Sequence, residues 1–181
     1  VVGVTVGASA VGMLRGQLAW LQERGWDVTL VTTPDEKAKI AAEREDVTLE
    51  GVQMSRNISL KADIRALLGW IRVLRNLRPD AVSVGTPKAG LLGILAAWVT
   101  RVPRRVYVVR GLRLEGASSR LVPLLWVMER LTTALATDVV PVSRSLGAEL
   151  VRRRLTDPRK TWLVGDGSSN GVDALSIGEK V

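Results

Sequence analysis

The sequence predicts an α/β fold, one domain with a mostly parallel sheet and helices on both faces. Three observations carry this. Short apolar runs alternate with longer segments of helical periodicity along the chain. Most of those runs are continuous rather than alternating, as expected of strands covered on both sides. And 181 residues, 46% hydrophobic and 24% charged, suffice for one soluble domain with its own core.

The elements follow in order. Val1–Val6 reads as a buried strand, already under way without a Met, so the natural start is expected upstream. A small-residue loop, Gly7 to Gly12, comes next. Val11, Leu14, Leu18 and Leu21 recur at helical spacing, and Gly25 is placed to end that helix. Val28–Thr32 is a second strand, stopped by Pro34. Residues 35–50 are the most acidic part and read as a surface helix, with a short strand at Gly51-Val52-Gln53. Ser59 is a candidate cap for the next helix, with Asp63 in its first turn and an apolar face of Ile64, Leu67, Leu68, Ile71 and Leu74. Arg78-Pro79-Asp80 breaks it.

Ala81–Val84 is a strand, Thr86-Pro87-Lys88-Ala89-Gly90 a loop, and Leu91–Val99 an apolar helix broken by Val102-Pro103. Val106–Val109 is a strand, Leu121–Ala136 a long helix, Val139–Val142 a strand and Ser145–Arg154 a helix with an Arg-rich end. Thr161–Val164 reads as the last strand. There is no internal repeat or low-complexity segment. Trp20, Trp70, Trp98 and Trp126 sit in helix patterns and are expected in the core or at interfaces.

Composition narrows the chemistry. The chain has no Cys and no His, which removes disulfides, thiolate or imidazole metal sites, Cys nucleophiles and a Ser-His-Asp triad. Any catalysis must use carboxylates, Lys, Tyr or fixed electrostatics. No apolar run reaches the ~18 residues of a membrane span; the longest is interrupted by Glu129 and Arg130. The formal net charge of +8 favours polyanionic partners: nucleic acid, acidic headgroups or phosphorylated small molecules. The aromatics do not interleave with the basic cluster, which disfavours single-stranded nucleic acid.

Four stretches carry candidate chemistry. Gly7 and Gly12 have P-loop spacing, but Met13 and Leu14 stand where Lys and Ser/Thr are required, so an NTPase is excluded. A small-residue loop opening a helix still suits anion binding by backbone N–H groups, or is a plain turn. Lys88 sits after a strand and beside a helix N-terminus, where a cation is unfavourable; an anion or an acid is expected to compensate it. Residues 101–120 hold six Arg and a single acid, Glu115. Arg110 and Arg113 in that cluster, directly after a strand, suit bidentate phosphate or carboxylate contacts, or form a solvated basic loop. Gly165-Asp166-Gly167-Ser168-Ser169-Asn170-Gly171-Val172-Asp173 is free to take positive φ and aim N–H groups at an anion. Its third glycine comes one residue too late for a dinucleotide fingerprint.

Taken in order, several short motifs form a set: Arg56-Asn57-Ile58-Ser59 with Asp63, Arg78-Pro79-Asp80, Thr86-Pro87-Lys88-Ala89-Gly90-Leu91-Leu92-Gly93 and Val102-Pro103. Arg110-Gly111-Leu112-Arg113 with Glu115, Glu129-Arg130, Val142-Ser143 with Ser145-Leu146, and Gly167–Asp173 complete it. The set resembles the amino-terminal half of family-4-like bacterial glycosyltransferases of capsular and exopolysaccharide synthesis, across essentially the whole chain.

That resemblance implies a GT-B architecture: two Rossmann-like domains across a cleft, of which residues 1–173 are the amino-terminal, acceptor-side domain and 174–181 the start of the linker. The carboxyl-terminal domain, which holds the nucleotide sugar and usually an E-x7-E motif, lies outside this sequence. The resemblance also implies retaining transfer from a nucleotide-sugar donor to a saccharide or lipid-linked acceptor, with no catalytic residue assigned here, no metal and no cofactor in this domain, and inactivity in isolation. Many relatives carry a His where this chain has Ser83 and Gly85, or Arg110, so an imidazole role does not carry over. Lys88, Arg110, Arg113 and Glu115 are then expected to contact acceptor or donor phosphate. Ser9, Gly12, Gly90, Gly111, Gly167, Ser168, Ser169, Asn170, Gly171 and Asp173 are expected in loops at the cleft. The expected location is cytoplasmic, with an acidic membrane face as a compatible partner. The alternative is a stand-alone anion- or nucleotide-binding module without catalysis.

Overall fold

A computed structural model describes residues 1–55, 59–116, 118–168 and 170. Six strands pair in parallel: β1 (Val2–Val6), β2 (Thr29–Thr33), β3 (Thr48–Gly51), β4 (Ala81–Val84), β5 (Arg104–Val109) and β6 (Asp138–Pro141). Their spatial order is β3-β2-β1-β4-β5-β6. The connecting helices are α1 (Gly7–Met13), α2 (Gln17–Gln22), α3 (Glu36–Glu45), α4 (Leu60–Leu77), α5 (Pro87–Val99), α6 (Val122–Leu135) and α7 (Arg144–Arg152). Right-handed crossovers put α1–α3 on one face of the sheet and α4–α6 on the other. Accordingly α1 packs against α3, and α5 packs against both α4 and α6. Among the described residues no helix is long and apolar enough to cross a membrane.

Each face of the sheet has its own core. Val4, Leu14, Leu18 and Leu30 meet Ala41 and Ala42 on one side. Trp70, Ile94, Val84, Tyr107 and Leu74 fill the other. Trp70 explains two glycines. A Cβ on Gly3 would lie 2.4 Å from Trp70 Cη2, and one on Gly93 would lie 3.4 Å from the same atom. The missing side chains let α4 sit close over β1 and α5. Gly3→Ala is therefore expected to cost about 2 kcal/mol through overpacking. Thermal melts should show a fall of roughly 4–8 °C.

Several expectations need correction. Residues 7–12 are not a loop but the helix α1, whose small residues let its first turn approach α3: a Cβ on Gly7 would lie 2.0 Å from Asp35 Oδ1 and 2.3 Å from the Ala38 nitrogen. The following helix is not continuous with it. Gly16, at φ 72°, breaks the chain between α1 and α2, and its N–H donates to the Glu45 carboxylate at 2.9 Å. Residues 35–50 divide into α3 and β3, so the third strand ends at Gly51 instead of starting there. Residues 87–90 are the first turn of α5, with Pro87 at its start, where a missing N–H costs nothing. Thr161–Val164 makes only an isolated bridge from Thr161 to Val139.

The apolar face of α4 is also rotated. Ala66, Trp70, Val73 and Leu74 are its buried residues, while Ile64 and Leu68 are exposed. The helix carries more apolar side chains than one contact face uses. Of the four Trp expected in the core or at interfaces, Trp70 is in the core and Trp20, Trp98 and Trp126 are exposed.

Candidate functional site

The helices leaving β1 and β4 go to opposite faces of the sheet, so a crevice opens between the carboxyl ends of these adjacent strands. Open α/β sheets bind ligands at such a reversal of strand order. The floor is a hydroxyl pair. Thr5 Oγ1 and Thr86 Oγ1 lie 2.7 Å apart, the Thr5 N–H donates to Thr86 Oγ1 at 2.9 Å, and the Ala89 N–H donates to Thr5 Oγ1 at 3.2 Å. These bonds satisfy a free N–H in the first turn of α5 and tie β1 to it.

Arg110 extends from β5 over β4. Its Nη1 donates to the Gly85 carbonyl at 2.9 Å. The contact depends on Gly85 having no side chain: a Cβ there would lie 1.5 Å from Nη1. The guanidinium is partly buried, and burial pulls its pKa down from the ordinary value. It remains a cation, because arginine starts so high. Gly85 and Arg110 are thus one spatial unit, at two positions where the resemblance draws attention to His.

Lys88 is turned inward. It is 5% exposed, and its ammonium meets Asp63 Oδ1 at 2.7 Å. Asp63, on the first turn of α4, is the acid that compensates a cation at a helix N-terminus. The carboxylate also accepts from the Ser59 N–H, so it closes its own helix start.

Beneath α5 lies a buried acid. Glu129 Oε1 accepts from Tyr107 Oη at 2.9 Å, and the Tyr107 ring packs where a Cβ on Gly90 would stand, 2.5 Å from Cε2. Burial raises the Glu129 pKa to about 7, against the lowering effect of the Tyr107 bond. Burial first, then the neighbouring Glu129, raises Tyr107 well above its ordinary value. The sign of the pH effect follows. The folded carboxyl titrates near 7 and the unfolded one near 4.5, so folding takes up a proton between them. Stability should fall as pH rises through that window, by up to about 3 kcal/mol. Glu129→Gln should flatten the profile in urea unfolding at several pH values.

The remaining cleft residues separate. Ser9 and Gly12 lie on α1, and Gly12 is exposed with open space around it. The Gly7 N–H at the start of α1 already donates to Asp35 Oδ2 at 3.3 Å, while Asp35 Oδ1 caps α3 at Ala38. Gly90 is buried within α5 and serves packing against Tyr107. Gly111 is exposed after Arg110. Arg113 and Glu115 belong to the 3-10 turn Arg113–Gly116, whose buried Leu114 anchors it; their side chains lie outside the described residues.

The loop after residue 164 takes positive φ at Gly165 (57°) and Gly167 (91°), as its composition predicts. Gly167 packs against the Val142 carbonyl, where a Cβ would lie 2.8 Å away, and Arg144 pairs with Asp166 at 2.8 Å. Ser168 is exposed, and Asn170 Nδ2 donates to the Arg15 carbonyl at 2.6 Å. The loop therefore runs from the β6–α7 turn to the α1–α2 junction. Ser169, Gly171 and Asp173, with the expected linker 174–181, lie outside the described residues. Among the described residues no cluster of acids could hold a metal.

Sequence reasoning missed the Thr5–Thr86 pair, Asp35 and the partnership of Tyr107 with Glu129. Glu129 left one signal, as the lone acid of a largely apolar helix.

A six-stranded parallel sheet whose strand order reverses between β1 and β4, with helices on both faces, defines a Rossmann-like domain. The chain belongs to the glycosyl transferase 4-like domain family, whose model matches residues 11–167. It is 36% identical over 169 residues to the capsular polysaccharide biosynthesis glycosyltransferase CapM of Staphylococcus aureus, covering 93% of this chain and 43% of that protein. It is 29% identical over 121 residues to the UDP-Gal:alpha-D-GlcNAc-diphosphoundecaprenol alpha-1,3-galactosyltransferase of Escherichia coli, covering 66% and 30%. The chain thus spans less than half the length of these curated relatives.

Among solved structures, Anabaena Alr3699/HepE in complex with UDP-glucose superposes with a TM-score of 0.68 at 16% identity, covering 92% of this chain and 43% of that one. The UDP-GlcNAc 2-epimerase of Neisseria meningitidis, bound to UDP-GlcNAc, gives 0.68 at 16%, covering 99% and 49%. These likenesses show a GT-B-like Rossmann fold.

Proposed function

We propose that this chain is the acceptor-binding half of a retaining glycosyltransferase of cell-surface polysaccharide synthesis. The enzyme moves a sugar from a nucleotide-sugar donor to a saccharide or lipid-linked acceptor at the cytoplasmic face of the membrane. The isolated domain binds acceptor but does not transfer. The observation that carries this reading is Arg110, held over Gly85 at the carboxyl ends of β4 and β5. A fixed guanidinium there suits an acceptor pyrophosphate or the donor phosphate across the cleft. The relatives supply the class of reaction.

With neither His nor Cys, the chain offers no imidazole base or thiolate nucleophile. Its part is positioning and charge stabilisation. Arg110 holds phosphate oxygens, Arg113 and Glu115 contact the acceptor from the neighbouring turn, and Lys88 with Asp63 fixes the first turn of α5 beneath them. The nucleotide sugar is bound by the carboxyl-terminal domain.

The test uses the protein extended by its natural carboxyl-terminal sequence. Arg110→Ala and Arg113→Ala are each expected to lower kcat/KM for transfer to a pyrophosphate-linked acceptor by about tenfold or more, as lost charge-assisted contacts do. Wild-type rates in both variants would overturn the site. Nucleotide binding without transfer in the extended protein would favour a non-catalytic module.

A further inference from the structure

Glu129 does more than accept from Tyr107. It also lines a small cavity with Lys88 and Leu91 of α5, Leu125 and Met128 of its own helix, and Leu114 of the turn Arg113–Gly116. The cavity has room for about one water molecule. Leu114 is 5% exposed and is the side chain by which the turn enters it, and the turn packs on α6. That turn carries Arg113 and Glu115, the residues proposed above to meet the acceptor.

A protonated carboxyl is neutral, bonded to Tyr107, and compatible with leucine neighbours. A carboxylate in the same place is a charge among aliphatic side chains, and it needs water or a cation. The surrounding ionic groups are engaged elsewhere. Lys88 is bound to Asp63 of α4, Arg110 donates to the Gly85 carbonyl, and Arg105 and Lys160 donate to carbonyls at the carboxyl end of α6. Arg130 points to solvent, and the side chains of Arg113 and Glu115 lie outside the described residues. Tyr107 keeps its proton, since burial and Glu129 both raise it. More water reaches the carboxylate when a wall of the cavity gives way. Leu91, Leu125 and Met128 stand on long helices, whereas Leu114 stands on a turn of 4 residues, the wall with the least holding it.

We propose that Glu129 is a positioning residue for the acceptor turn: protonated, it lets Leu114 seat and holds the turn in place; ionised, it draws water into the cavity and releases the turn. This rests on the acceptor role proposed for Arg113. The carboxyl titrates near 7, so acceptor affinity falls as pH rises through that value, and binding of acceptor takes up a proton there. Bound acceptor pulls the turn back, so the loss appears in KM and not in kcat.

The test uses the protein extended by its natural carboxyl-terminal sequence, with two readouts from about pH 6 to about pH 8, either side of the Glu129 midpoint. Amide exchange over residues 112–116, corrected for its intrinsic pH dependence, should speed about tenfold, a usual size for such coupling. Low urea should leave that exchange unchanged, because a local opening exposes little surface. KM for a pyrophosphate-linked acceptor should rise by about the same tenfold, with kcat changed by less than about twofold. Glu129→Gln, neutral and of similar shape, should hold both readouts at their low-pH values throughout. Tyr107→Phe removes a hydrogen bond that favours the carboxylate, so both midpoints should move to higher pH. Leu114→Ala should give fast exchange and high KM at every pH. A pH profile that survives in Glu129→Gln would overturn the proposal, as would a turn that opens with no change in KM. So would exchange over 112–116 that rises with urea as steeply as that of α3, the mark of global unfolding. An extended protein without transfer activity, whose turn still opens with pH in the wild type and not in Glu129→Gln, would sink the transferase reading and leave the coupling of Glu129 to the turn standing.

Discussion

Lys88→Met is expected to lower the unfolding free energy by about 3 kcal/mol. Removing one member of a buried ion pair costs roughly 3–5 kcal/mol, because the other charge is left desolvated and unpaired. Asp63 keeps some solvent access at 21% exposure, which favours the lower figure. The melt should fall by roughly 6–12 °C for a chain of this length. The double variant Asp63→Asn/Lys88→Met should recover much of the loss, since neither charge then remains. A double variant no more stable than the single one would show that the ammonium acts through other contacts. The pair also locks α4 to the start of α5, so the single variant should raise KM for acceptor even where the fold survives.

Gly85→Ala should show the opposite signature, a large loss of transfer with little loss of stability. The new Cβ would lie 1.5 Å from Arg110 Nη1, the far end of a flexible side chain. The guanidinium can swing away at small cost, but it cannot keep its bond to the Gly85 carbonyl. Misplacing a charge-stabilising group by an ångström or more costs on the order of a hundredfold in rate. In the extended protein, kcat/KM should fall by about that factor, with the melt changed by no more than a few degrees. Wild-type transfer in Gly85→Ala would mean that the guanidinium has no part in the reaction where it stands. The two variants together separate a pair that holds α4 to α5 from a guanidinium proposed to hold phosphate.

Much of the fold was legible in the residues. Continuous apolar runs gave β1, β2, β4, β5 and β6 within a few residues, because strands covered on both faces cannot alternate. Where reading failed, a neighbour had overruled the local signal. Gly7 to Gly12 has the composition of a loop, yet it folds as α1 because Asp35 takes the Gly7 N–H and α3 accepts the close approach. Residues 48–51 are polar enough to pass for the end of a helix; pairing with β2 makes them an edge strand. The surplus Leu and Ile of α4 shifted the reading to one side of the true face: Leu74 is in the core and Leu67 and Ile71 pack against it, but Ile64 and Leu68 face solvent, since periodicity does not say where an apolar sector stops meeting its neighbours.

The candidate site divides the same way. That Lys88 calls for an anion or an acid, and that Arg110 follows a strand in a basic cluster, are consequences of helix dipoles and strand order that the sequence alone determined. Asp63 as the acid, and Gly85 as the space for Arg110, only the tertiary structure decided. Both partners lie 25 residues away along the chain, and contacts across elements depend on how the layers pack. A sequence fixes the chemistry each segment can offer, while the burial that turns Lys88 inward and lays Arg110 across the crevice exists only once the layers have closed.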